Sequence, residues 1–210
     1  MSGRREEILD AALAIADEHG LEAVSMRALA DRVGVTPMAL YRHVKDKAAL
    51  LDGMLGRLLA ALLPPASVQE RPWDERLTVL AHATREVIRR HPWAAHLVFS
   101  RPAVTPDAVR AVDLIYAGLL EAGVPESEIP RLERMVSTFV IGFAASEAAG
   151  RFSPGSLDPR GRRGQLPEGA LPAHSRLAHW LDLPPDLTAE FEADLADIRR
   201  MVEAVAGRRD

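Results

Sequence analysis

Residues 25–47 read SMRALADRVGVTPMALYRHVKDK, and the fold of the chain turns on this stretch. Ser25 suits the N-cap of a short helix that carries Ala28, Leu29, Ala30 and Val33. Gly34 breaks that helix, and Thr36-Pro37 supplies the cap and first-turn proline of the next one. Two short helices around a glycine turn are the outline of a helix-turn-helix. Ala30 and Gly34 are small where the helices must approach, while Val35, Leu40 and Val44 are placed to pin the second helix to its neighbours. Met38, Tyr41, Arg42 and Lys45 follow at i, i+3, i+4 and i+7 and share the remaining face. A stripe of thioether, aromatic and basic groups suits a helix laid in a DNA major groove, where arginine meets guanine or phosphate and carbon-bound hydrogens meet thymine methyls.

Working outward, the apolar spacing is helical nearly everywhere. Ile8, Leu9, Ala12, Leu13, Ile15 and Ala16 make a stripe that Gly20 should end in a left-handed conformation, with Leu21 as the capping contact. Asp46 caps a helix through Leu50, Leu51, Met54, Leu55, Leu58, Leu59 and Leu62, stopped at Pro64-Pro65. Further helices are expected near 73–90, 92–99, 106–122 and 127–150, then a short one around Ser175 to Leu181 and a longer one from Asp186 to Ala206. Between them, 152–172 is crowded with Gly, Pro and Arg and reads as a long mobile loop. The expected architecture is all-α: a helix-turn-helix head over 1–47, joined to a helical regulatory and dimerisation body over 48–210.

Composition narrows the function classes. The 210 residues are 48% apolar, enough for a sizeable core, yet no run approaches the roughly 18–20 apolar residues of a membrane helix. The start, Met1-Ser2-Gly3-Arg4-Arg5, lacks a signal-peptide core, so a cytoplasmic protein is expected. With no cysteine, thiol catalysis and cysteine-based zinc sites are excluded. The net charge of −4 hides a polarised chain: 25–47 carries a local balance of +3, whereas 186–206 has six acids against two bases. Nucleic-acid affinity depends on the local face, not the total. Thr36 can cap its helix and still reach a phosphate, and His43 and Lys47 can add phosphate contacts from the flank.

Taken together, the pieces Ile8…Ala11-Ala12, His19-Gly20-Leu21, Ser25 to Ala30, Gly34-Val35, Leu40-Tyr41-Arg42-His43-Val44 and Asp46 to Leu51 closely resemble the DNA-binding head of the tetracycline-repressor (TetR) family. The resemblance implies phosphate contacts by Tyr41, His43 and Lys47, and groove contacts by Arg27, Thr36, Pro37, Met38 and Arg42. One departure is Ala48-Ala49, where many members carry an acidic residue. It continues more loosely through Arg90-His91-Pro92-Trp93, the helix end Leu119 to Gly123, the Phe139 to Gly142 run and the final helix with Phe191 and Leu195.

A DNA-binding transcriptional regulator is therefore expected, most simply a homodimeric repressor that leaves its palindromic operator when a small organic effector binds. An effector pocket is expected from His82, Trp93, His96, Phe99, Met135, Phe139 and Phe143. By the resemblance, two helices per subunit would form the dimer interface, with Val136, Val140, Ala144, Phe191, Leu195, Ile198 and Val202 as candidates. The resemblance puts Leu97 where the tetracycline repressor proper has a metal-binding histidine. No metal site, cofactor or catalytic residue is expected, because nucleophile elbow, phosphate loop, HExxH and dinucleotide glycine patterns are all missing. The competing readings are an all-helical enzyme and a protein-binding adaptor, each with an incidental helix-turn-helix.

Overall fold

The computed structural model describes residues 2–151, 164, 165, 167 and 169–207. Among these the regular structure is helical, as the apolar spacing requires. The head comprises α1 (Ser2–His19), a 3-10 turn (Leu21–Ala23), α2 (Met26–Val33) and α3 (Pro37–Leu40). The body follows as α4 (Lys47–Ala60), the short α5 (Ala66–Gln69), α6 (Trp73–Arg90), α7 (Ala94–Ser100), α8 (Pro106–Glu121) and α9 (Ile129–Ala148). Last come α10 (Pro172–Arg176), α11 (Ala178–Leu181) and α12 (Leu187–Ala206). Of the loop expected over 152–172, residues 152–163, 166 and 168 lie outside the described residues.

Capping chemistry sets the boundaries in the head. The Ser25, Thr36 and Asp46 side chains accept hydrogen bonds from the amides of Ala28, Ala39 and Ala49 at 3.1, 3.3 and 2.7 Å. Gly34 is left-handed, at φ 71° and ψ 37°, so its amide closes α2 on the Ala30 carbonyl. Gly20 takes a positive φ of 83° but an extended ψ of 161°, so it turns the chain into the 3-10 segment rather than forming the expected left-handed cap.

The first core lies where α1, α2 and α3 meet α4: Ile8, Leu9, Ala12, Ile15, Leu29, Ala30, Leu40, Val44, Leu50 and Met54 are all buried. Leu97 of α7 joins the same cluster, so the head packs onto the body and does not dangle from it. Each fully buried leucine or isoleucine contributes about 1.5–3 kcal/mol.

Helix α4 is the shared element, and two glycines let it approach both neighbours closely. A Cβ on Gly53 would lie 2.7 Å from Leu9 Cδ2 in α1, and one on Gly56 would lie 2.4 Å from Thr105 Oγ1 at the start of α8. Polar clasps reinforce the junction. Asp17 of α1 accepts from Trp93 Nε1 at 2.7 Å, and His91 Nδ1 lies 2.7 Å from the same carboxylate oxygen. Arg101, just past α7, donates from Nε to Asp52 of α4 at 2.7 Å and from Nη2 to the Ala48 carbonyl at 3.1 Å.

Candidate DNA-binding surface and ligand cavity

The helix-turn-helix presents its second element outward. Leu40 and Val44 are buried, which turns Pro37, Met38, Tyr41 and Arg42 toward solvent. Met38 is 75% and Tyr41 48% exposed, fractions that a core methionine or tyrosine would not show. Arg27, Thr36, His43 and Lys47 are exposed as well, so every residue expected at the DNA surface is accessible on the head. The regular part of α3 is shorter than the spacing suggests. It ends at Leu40, and Tyr41 to His43 continue as a turn held by the His43 and Val44 amides on the Leu40 carbonyl. Lys45 falls beyond that turn, so it is not the i+7 member of a helical stripe.

The electrostatics of this surface separate it from the rest of the molecule. Most described arginines of the body are paired with carboxylates, among them Arg76, Arg85, Arg89, Arg90, Arg101, Arg110, Arg131 and Arg199. Among the described residues, Arg27, Arg42, Lys45 and Lys47 form no ion pair. Lys45 and Lys47 are moreover the chain's only two lysines. Unpaired cations beside a helix-turn-helix are free to displace counterions from phosphates, and lysine does so as a compact, hydrated point charge. This concentration of lysine was a readable sequence signal that the charge balance alone did not use.

A cavity of about 260 Å³ lies between α4, α6, α7, α8 and α9 of the body. Its wall is overwhelmingly aliphatic, with Leu55, Leu58 and Leu59 from α4, Leu80 and Ile88 from α6, and Val136 and Val140 from α9. Thr84, Arg101, Glu133 and Ser137 are the polar lining.

None of the seven residues expected to line this cavity does so. Trp93 is the head–body clasp on Asp17, while His96 and Phe99 face solvent. Phe139 and Phe143 pack with Val136, Val140 and Phe191 in one cluster, where the Phe143 ring sits 5.0 Å from that of Phe191 in α12. Met135 packs against the cluster of Leu119, Leu132 and Val202. His82 borders a separate, polar pocket with Arg85, Glu86, Arg89, Glu147 and Thr188, its Nε2 3.0 Å from Glu192. Of the residues expected at the dimer interface, Val136 and Val140 line the cavity. Val136, Val140, Ala144, Phe191 and Val202 are buried inside the single chain, and Leu195 and Ile198 are half-buried against the same clusters. Val136, Phe139, Val140 and Phe143 fall at i, i+3, i+4 and i+7 on one apolar face of α9, and spacing does not say which of them reach the cavity and which pack only on α12.

The polar pocket on the outer side of α6 is internally neutralised. Arg85 makes a bidentate pair with Glu147 at 2.7 Å and stacks 4.8 Å from the Phe191 ring centroid, and the Glu147 carboxylate holds its guanidinium above the usual arginine range. Hydrogen bonds from Arg89 and Arg90 hold the Glu86 carboxyl down at about 2. Each of these arginines thus faces a carboxylate across the pocket or beside it.

Comparisons with known proteins agree with this architecture. The family model for the tetracyclin repressor-like C-terminal domain matches residues 65–196, and that for bacterial regulatory proteins of the tetR family matches residues 8–54. The HTH-type transcriptional repressor DrrR1 of Streptomyces coeruleorubidus is 34% identical over 142 residues, 68% of this chain, which spans about half (53%) of that relative. An HTH-type transcriptional regulator of Saccharopolyspora erythraea is 32% identical over 194 residues, covering 92% of this chain and 77% of its own. The solved structure of ActR from Streptomyces coelicolor without ligand is 25% identical, with a TM-score of 0.83 over 97% of this chain and 96% of that one. The same protein in complex with actinorhodin gives a TM-score of 0.79 at 25% identity, over 97% and 98% of the two chains.

Proposed function

The chain belongs to the tetracycline-repressor family of bacterial transcriptional regulators, and from that premise we propose that it is a homodimeric repressor released from a palindromic operator by a small organic effector. The observation that carries the reading is the exposed group of Met38, Tyr41 and Arg42, flanked by cations without carboxylate partners, on a helix-turn-helix pinned from behind by Leu40 and Val44. Arg27, Thr36, Pro37, Met38 and Arg42 would meet the groove, while Tyr41, His43 and Lys47 would hold phosphates.

The division into a head over 1–47 and a body over 48–210 gives α4 the role of lever. Its first residue, Lys47, is exposed beside the helix-turn-helix, and its leucines at 55, 58 and 59 line the cavity. An effector that fits the cavity best with α4 displaced shifts the population toward that arrangement. In a two-fold dimer, the displacement changes the distance between recognition elements, which must stay one helical turn apart, about 34–36 Å. Pairing would use the outward faces of α9 and α12, since Gly142 on α9 has open space where a side chain would stand. The protein would act in the cytoplasm and catalyse no reaction of its own. Among the described residues no helix is long and apolar enough to cross a membrane.

A mobility-shift assay on the DNA upstream of the chain's own reading frame tests the reading. One discrete complex, dissolved by a compound that also raises the melting temperature of the free protein, is the expected result. Absence of any site-selective complex would overturn it.

A further inference from the structure

The polar groups of the cavity are not equivalent. Arg101 is neutralised outside the cavity, because its guanidinium is 2.7 Å from the Asp52 carboxylate and also holds the Ala48 carbonyl. The Thr84 hydroxyl donates to the Leu80 carbonyl at 2.8 Å. Glu133 is different. It is half-buried in the cavity wall, no lysine, arginine or histidine pairs with it among the described residues, and its only hydrogen bond there comes from the Ser137 hydroxyl at 2.8 Å. The cavity thus holds one uncompensated carboxylate, and the Ser137 and Thr84 hydroxyls, having spent their protons, offer only lone pairs. A half-buried charge in an aliphatic wall gains most from an opposite charge brought by the occupant.

From this balance we propose that the cavity selects compact apolar molecules bearing one protonated amine, with Glu133 as the counter-ion and Ser137 holding its carboxylate in place. The volume of about 260 Å³ lies just below the about 300–1,000 Å³ common for ligand sites, which favours small occupants. An anionic ligand meets Glu133 as a like charge and finds Arg101 already engaged. A neutral ligand of the same shape keeps the apolar contacts but leaves the carboxylate uncompensated.

The proposal rests on the effector-sensing reading and deepens it by naming the ligand's charge. Three probes with one body separate the cases: 4-phenylbutylamine, 4-phenylbutan-1-ol and 4-phenylbutyrate, titrated into the free full-length protein by calorimetry at neutral pH. The amine should bind at least about tenfold more tightly than the alcohol, and the butyrate more weakly than either. Glu133→Gln should bring the amine to the affinity of the alcohol and leave the alcohol within about twofold. Ser137→Ala, which keeps the charge, should retain most of the amine preference. Equal affinities for the three probes, tightest binding of the butyrate, no binding by any of them, or an amine preference that survives Glu133→Gln would each overturn the proposal. Because DNA is left out, those failures concern the cavity alone. Amine binding that never loosens a DNA complex would instead count against the effector reading.

Discussion

Replacing Gly56 by alanine should injure the protein although the substitution favours a helix. Alanine in place of a helical glycine gains about 1 kcal/mol. Here the new Cβ would fall 2.4 Å from Thr105 Oγ1, 2.6 Å from its Cγ2 and 2.9 Å from its Cβ. The last is a branch point that cannot swing aside, so α4 and α8 must separate or Thr105 must change rotamer. Overpacking of this sort costs about 1–3 kcal/mol. Thr105 also caps α8, its hydroxyl oxygen accepting from the Ala108 amide at 3.3 Å, and losing that cap adds about 1 kcal/mol. The net loss should be about 1–3 kcal/mol, or a fall in melting temperature of about 4–8 °C for 2 kcal/mol lost in a domain of this size. Gly53→Ala is the internal control. Its Cβ meets only the ends of flexible side chains, Leu9 Cδ2 at 2.7 Å and Arg5 Nη2 at 3.3 Å, and should change stability by no more than about 1 kcal/mol. Urea unfolding of both variants at one protein concentration gives the comparison. A Gly56→Ala protein as stable as wild type would refute the claim that α4 is clamped against α8.

Three further outcomes follow from the same clasps. Arg85→Ala strands the largely buried Glu147 and removes a cation from the Phe143 and Phe191 faces, so thermal unfolding should show a loss of about 2–4 kcal/mol, with Arg85→Lys recovering only part of it. Arg101→Met should cost less, about 1–2 kcal/mol for a pair one quarter exposed, yet weaken the link from ligand to DNA more than either affinity alone, as measured by DNA affinity with and without a saturating cavity ligand. The Glu86 carboxyl, held at about 2 by Arg89 and Arg90, contributes stability that is full above the ordinary carboxylate range and is lost as pH falls through about 2. An NMR titration should find it still ionised at pH 3, and Arg90→Ala should move its midpoint upward.

The sequence was most legible where a local rule fixes the structure. Ser25, Thr36 and Asp46 cap as expected because capping needs only a short side chain and the next turn of backbone. Helix α6 was expected over 73–90 and spans Trp73–Arg90, its amphipathic stripe being long and unambiguous. The accessible residues of the head were likewise readable, because Leu40 and Val44 leave the opposite face no alternative. The cavity was not. Val136, Phe139, Val140 and Phe143 share one apolar stripe of α9, and periodicity cannot say that only the two valines reach the cavity while the phenylalanines pack toward α12. Large aromatics suit a pocket by type, whereas this wall is built mostly of leucine, valine, isoleucine and alanine. The place of Trp93 is hidden for a related reason, since its hydrogen bond to Asp17 joins residues 76 positions apart and no local spacing reveals it.

The claim on which the account depends is that Tyr41 and Arg42 engage DNA from the surface they occupy. The most direct measurement is the affinity of wild type and the Tyr41→Ala/Arg42→Ala double variant for the chain's own upstream DNA between 50 and 200 mM salt, with melting curves alongside. Wild type should bind one site with an affinity that falls steeply with salt, and the double variant should lose that site while melting within about 2 °C of wild type, as both side chains are exposed. A double variant that melts normally and still binds the site with wild-type affinity and salt dependence would contradict the account.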